Sequence, residues 1–148
     1  MKQLLIIAFA YLFSSLSYAT DLHMARSSAS FPETMLKLQD TIKKTGYKVS
    51  RVQRVDIGLT AMGYKTDKYR VVFYGKTNEV LELSKKYPFL IPYLPLKIAI
   101  FAEGEETLLV ASSPMLLDDP SAPELKPVLQ RWEKDLANMM ATMRPSSD

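Results

Sequence analysis

Apolar and polar residues alternate along this chain in two rhythms, one of period two and one of period near 3.6, and the switches between them mark out the elements. Leu22 to Ser28 alternates weakly and reads as a first strand at a sheet edge. Phe31, Met35, Leu38 and Ile42 then recur at spacings of four, three and four, which is one face of a helix. Its start is punctuated: Ser30 and Glu33 have the spacing of a capping box, and Pro32 falls in the first turn, where a missing N–H costs nothing. Lys43 and Lys44 suit the negative end of the helix dipole, and Gly46 can take the left-handed conformation that ends it. Tyr47 to Val55 returns to strand, with an irregularity that predicts a bulge. Asp56 to Gly63 can form a short helix capped by Asp56.

The second half of the chain follows the same logic. YRVVFY, Tyr69 to Tyr74, is rich in aromatic and β-branched residues and predicts a strand. Thr77 or Asn78 then caps a short helix, NEVLELSKK, that stops at Pro88. Pro88, Pro92 and Pro95 keep the next stretch out of helix and away from ladder pairing. Leu96 to Phe101 is a strand, Glu103-Gly104-Glu105-Glu106 a turn, and Thr107 to Ser112 the returning strand. Both faces of this hairpin are apolar. Asp118 to Pro123 is a loop, and a last helix runs from about Glu124 to Arg144. Its stripe is Leu125, Val128, Leu129, Trp132, Leu136, Met139, Met140 and Met143, with Pro127 tolerated in the first turn. Ser146 to Asp148 is a frayed tail.

The sum predicts an α+β domain: a mostly antiparallel sheet of about five strands with two long helices packed on one face. Strands and helices alternate too irregularly for a doubly wound parallel sheet. Within Leu96 to Phe101, Leu96, Ile98 and Ile100 share one side and are the natural partners of the helix stripes. Lys97, Ala99 and Phe101 share the other, joined by alternate residues of YRVVFY and TLLVAS. A solvated sheet face ordinarily carries polar residues. This one does not, so another chain, a ligand or a loop must cover it.

Met1 to Ala19 has the pattern of a secretory signal: Lys2 at the start, an apolar run from Leu4 to Phe13, and Ser17-Tyr18-Ala19 with small outer residues. Ser14, Ser15 and Ser17 end the run well short of the about 20 apolar residues a membrane span needs. The expectation is export to the periplasm with cleavage after Ala19 and no span in the mature chain. Of the 148 residues, 129 (148 − 19) would remain, enough for one domain without staples. There is no cysteine, which excludes a disulfide framework, a thiolate metal site and a cysteine nucleophile together. The charges, 19 basic and 16 acidic side chains, are mixed and form no long basic run, so nucleic acid is not implied.

The order of elements, the strand YRVVFYGKTNE leading into a short helix, and YPFLIPYLPLKIAIFAEGEETLLVASSP together resemble the domain-of-unknown-function family 302. Asn78 after the third strand, the Leu94-Pro95 pair and the Ser113-Pro114 exit from the hairpin carry the resemblance, which covers about Phe31 to Met143. It implies a sheet with two helices on one side and a tendency to pair as homodimers. It implies no activity. Many members carry a cysteine straight after the Leu-Pro pair; Leu96 stands there in this chain, so thiol chemistry does not carry over.

The inventory of reactive groups is thin. His23 is the sole histidine and lies in the first strand, and none of the Gly-rich phosphate signatures is present. Glu103, Glu105 and Glu106 form a charged turn that keeps an apolar hairpin from aggregating; Asp118 and Asp119 form a second acidic cluster. Imidazole and thioether ligands can hold copper in exported proteins, and His23, Met24, Met139, Met140 and Met143 are the candidates. The three late methionines also continue the stripe of Leu129, Trp132 and Leu136, where methionine fills core gaps. Lys97, set among Tyr93, Ala99 and Phe101, can meet an anionic ligand or snorkel to solvent. The leading expectation is a non-catalytic, exported, homodimerising binding module, with no cofactor, that takes a small anionic or apolar ligand at Tyr93, Lys97, Ala99 and Phe101. An envelope copper-handling protein is the alternative, and an enzyme the weakest one.

Overall fold

The computed structural model describes residues 21–145. Residues 1–20 and 146–148, on which the signal and tail readings fall, lie outside them. Five strands form one antiparallel sheet in the order β1-β5-β4-β3-β2: β1 (Leu22–Ser27), β2 (Lys48–Arg54), β3 (Tyr69–Gly75), β4 (Leu96–Glu103) and β5 (Glu106–Ser112). β1 is an edge strand, as its weak alternation predicts. The bulge expected in the second strand falls between Val49 and Arg51.

Helix α1 (Phe31–Lys44) and helix α4 (Lys126–Met143) pack against one face of the sheet. The two shorter helices are α2 (Val55–Ala61) and α3 (Thr77–Lys86). In α1, the Glu33 carboxylate accepts from the Ser30 N–H at 3.0 Å and from its hydroxyl at 2.7 Å. Gly46, at φ +90°, supplies the left-handed turn into β2. In α4, Leu129, Trp132, Leu136 and all three methionines, with Leu125 just before the helix, are buried in one cluster with Val72, Ile98, Ile100 and Leu109 of the sheet. The last helix starts two residues later than its pattern predicts, because Pro123–Leu125 forms a 3-10 turn first.

Two caps differ from expectation. Asp56 lies inside the first turn of α2, and its carboxylate pairs with Arg70 on β3. Lys76, and neither Thr77 nor Asn78, is the residue that flanks α3. Gly75 explains the tight entry: a β-carbon there would stand 2.8 Å from a Val80 methyl group. The hairpin turn is shorter than expected, since Glu103 and Glu106 already pair in the ladder and Gly104 turns the chain at φ +62°.

Candidate functional site

The sheet is incomplete at one place. The β4–β5 ladder runs from the turn to Ala99–Val110 and stops there, although β4 begins at Leu96 and β5 continues to Ser112. Beyond that rung β4 pairs only with β3, through Ile98–Val72, Lys97–Phe73 and Leu96–Tyr74, while Ala111 and Ser112 pair with His23 and Leu22 of β1. The strands part, and a cavity of about 350 Å³ opens in the gap. Leu96, Lys97, Ser112 and Ser113 line it from the parted strands, Tyr74 from β3 and Leu136 from α4. Pro114, Leu116 and Leu117 close it from the 3-10 turn after β5, and Tyr93, half exposed, stands at its margin.

Tyr74 is the unusual wall. It is only 1% exposed, its ring meets Tyr47 edge-on at 5.5 Å, and its hydroxyl has no hydrogen-bond partner among the described residues. Burial, with the Asp135 carboxylate adding to it, raises its pKa well above the ordinary phenol value, so the group remains a donor at neutral pH.

Two polar chains flank the cavity. Ser113 donates its hydroxyl to Glu133 Oε2 at 2.7 Å and accepts the Met115 N–H at 3.1 Å; the other Glu133 oxygen meets His23 Nε2 at 2.6 Å. The carboxylate thus stands between serine and imidazole. A hydrolytic triad needs the imidazole on the hydroxyl, so this order fastens β1, β5 and α4 together and does not activate Ser113. In the second chain, Tyr47 donates to Asp135 Oδ2 at 2.6 Å, Arg131 donates to the Tyr47 oxygen at 3.3 Å and also pairs with Glu79, and the Trp132 indole donates to Glu79 Oε2 at 3.0 Å. This chain ties α3 to α4 and to the loop before β2.

The opposite face of the sheet carries neither long helix. Its middle row across the strands is Gln53, Val71, Ala99, Val110 and Met24. The next row is Tyr69, Phe101, Leu108 and Arg26, with the Tyr69 and Phe101 rings edge-to-face at 5.9 Å. A shallow trough of about 420 Å³ runs over Val71, Phe73, Ala99 and Val110. The four residues singled out from sequence are therefore divided. Tyr93 stands at the cavity, Ala99 lines the trough, and Phe101 lies on the same open face. Lys97 lines both hollows and is the hinge between them.

The family described as "Domain of unknown function DUF302" matches residues 23–143. The chain belongs to the DUF302 family. Its fold is shared by the crystal structure of an uncharacterized conserved DUF302 protein from Bacillus stearothermophilus, with a TM-score of 0.75 and 22% identity over 85% of this chain and 100% of that one. No curated protein matches. Around the DUF302 cavity stand two of the pairs that carried the resemblance: Ser113 and Pro114 line it, and Leu94-Pro95 leads into its floor at Leu96. Leu96, where this chain departs from the pattern, is itself part of the lining.

The copper candidates are not brought together. Met139, Met140 and Met143 are each 1% exposed in the core, while His23 and Met24, being adjacent in a strand, point to opposite faces. Among the described residues no group of three or more His, Asp and Glu could hold a metal ion. The acidic turn residues lie at the hairpin tip, where Glu103 pairs with Arg26 at 2.6 Å. Tyr74, Ser112 and Glu133 are the residues that pattern reading passes over. Tyr74 reads as plain strand core, and only the end of the β4–β5 ladder reveals what its hydroxyl faces.

Proposed function

We propose that this DUF302 protein is an exported, non-catalytic binding module that works as a homodimer paired through the open face of its sheet. The observation that carries the pairing is the composition of that face. Val71, Phe73, Ala99, Phe101, Leu108 and Val110 occupy its centre and are all partly exposed. Arg26, Arg51 and Gln53 stand at its margins. An apolar centre with a polar rim is the anatomy of a protein interface, and a wet sheet face lacks it. The size is suitable. Five strands of six to eight residues span roughly 24 Å by 23 Å at standard spacings, about 550 Å² in projection. Side-chain relief increases the accessible area toward the roughly 800 Å² per partner of a stable interface.

A second copy of the chain is the simplest occupant, because a two-fold axis lets one self-complementary patch satisfy both partners. The reading as non-catalytic rests on Glu133 standing between Ser113 and His23, which leaves the hydroxyl on a weakly basic carboxylate and off the imidazole. Export to the periplasm rests on the leader alone: protein recovered from the cell envelope should have the intact mass of a chain starting at Thr20, and an uncleaved chain in the cytosol would overturn it.

Light scattering tests the dimer. The unmodified protein should show twice the mass of one chain, and Phe101→Asp should show the mass of one, with circular dichroism unchanged. A wild-type protein that stays monomeric at high micromolar concentration would remove the proposal.

A further inference from the structure

The gap between β4 and β5 presents an unusual combination of groups. Its walls are mainly apolar, from Leu96, Leu117, Leu136 and Pro114. Against them stands the Tyr74 phenol, almost wholly buried and with no hydrogen-bond partner among the described residues. Among the described residues the buried side-chain polar atom left without a partner is the Tyr87 hydroxyl, so the Tyr74 hydroxyl keeps access to the cavity and can donate to an acceptor that enters it. Lys97 supplies the one charged side chain of the lining and has no ion-pair partner among the described residues. No carboxylate lines the cavity, and the Ser113 hydroxyl is committed on both sides, to Glu133 and to the Met115 N–H. Where the ladder stops, the facing edges of β4 and β5 make no rungs with each other. The cavity is therefore apolar in body, with a phenol reaching it from the helix side of the sheet and an ammonium from the open side, and its lining is positive.

We propose that this cavity is a binding site for a small monocarboxylic acid with an apolar body, an aliphatic acyl chain or a single aromatic ring, whose carboxylate meets Lys97 and the Tyr74 hydroxyl. A carboxylate has two acceptor oxygens, which one ammonium and one phenol can serve together. With one cationic side chain in the lining, a monoanion is better matched in charge than a phosphate dianion. At about 350 Å³ the cavity lies near the lower end of the range for small-molecule sites, which sets the size of the body. The site rests on the reading of the chain as a binding module; Tyr74 lies on the helix-covered side of the sheet and Lys97 on the open face, so binding is measured in the paired protein and in Phe101→Asp alike.

The test is a calorimetric titration of the purified protein with butyrate, octanoate, decanoate, benzoate and phenylacetate, each against its neutral alcohol. Leucine methyl NMR locates the binding. The expected result is saturable binding of at least one acid, with shifts at Leu96, Leu117 and Leu136. The matching alcohol should bind about tenfold more weakly, as expected for the loss of a charge-assisted hydrogen bond. Lys97→Gln should weaken the acid by a similar factor. Tyr74→Phe should weaken it severalfold while leaving the mass in light scattering unchanged. Alcohols binding as well as acids, shifts confined to the open sheet face, affinity unchanged in both variants, or no binding of any acid at concentrations of about 10 mM would each overturn the proposal. Failure of the dimer would appear in the scattering mass alone; Phe101→Asp, whatever its mass, should still bind the acid.

Discussion

Replacing Trp132 with alanine removes the largest side chain of the core, and the structure gives the scale of the loss. The residue is 2% exposed, and its indole N–H donates to Glu79 Oε2 at 3.0 Å. Truncating a buried tryptophan costs about 3–5 kcal/mol in transfer and cavity terms. The lost hydrogen bond adds about 1 kcal/mol, below the usual range for a bond to a charged group, because Glu79 keeps Arg131 and remains partly hydrated. The total, about 4–6 kcal/mol, is a quarter or more of the roughly 5–15 kcal/mol that holds such a domain together. With a urea dependence of about 2 kcal/mol per molar, the midpoint should fall by about 2–3 M. Far-UV circular dichroism is the right probe, since Trp132 is the sole tryptophan and its fluorescence goes with it. Trp132→Phe keeps most of the packing and loses the N–H, so it should fall between wild type and alanine. A midpoint moved by less than about 0.5 M in the alanine variant would mean that α4 does not pack on the sheet through this face.

Three further outcomes follow from single contacts. Burial raises the pKa of Tyr47, where the bond to Asp135 adds to it, and of Tyr74; both phenols hold their protons more tightly folded than unfolded. Stability should therefore be intact below about pH 10 and fall as pH rises above it, and Tyr47→Phe should flatten that alkaline limb in urea melts taken at several pH values. The Arg70 guanidinium bonds to Asp56 and lowers its pKa, with desolvation opposing; this contribution is present above about pH 4 and is lost as pH falls through the folded value, so Asp56→Asn should shrink the acid limb. Gly75→Ala should cost about 1–3 kcal/mol by overpacking, because the new β-carbon would press on a stiff β-branched Val80 at 2.8 Å; an unchanged midpoint would show that α3 can move aside.

Most of the architecture was legible in the sequence because it is written in period and punctuation. The buried face of α4 is the stripe its spacing predicts, and the division of Leu96, Ile98 and Ile100 from Lys97, Ala99 and Phe101 is the one observed. The misjudged details are those that tertiary contacts decide. Asp56 has the chemistry of a cap, but Arg70 on the neighbouring strand claims its carboxylate. The candidate site was legible only in part, for the same reason. Lys97 and Tyr93 were singled out for their chemistry. The cavity beside them exists because β4 and β5 separate past Ala99–Val110, and no local pattern announces where a ladder ends. Tyr74 and Ser113 owe their roles to that separation.

The central claim, that a second copy covers the open sheet face, can be tested at one atom. The chain has no cysteine, so Ala99→Cys places a single thiol in the middle row of that face. Its alkylation rate by a maleimide should fall steeply as protein concentration rises from nanomolar to high micromolar, and adding Phe101→Asp should abolish the dependence. A rate that stays the same across the whole range would contradict the account.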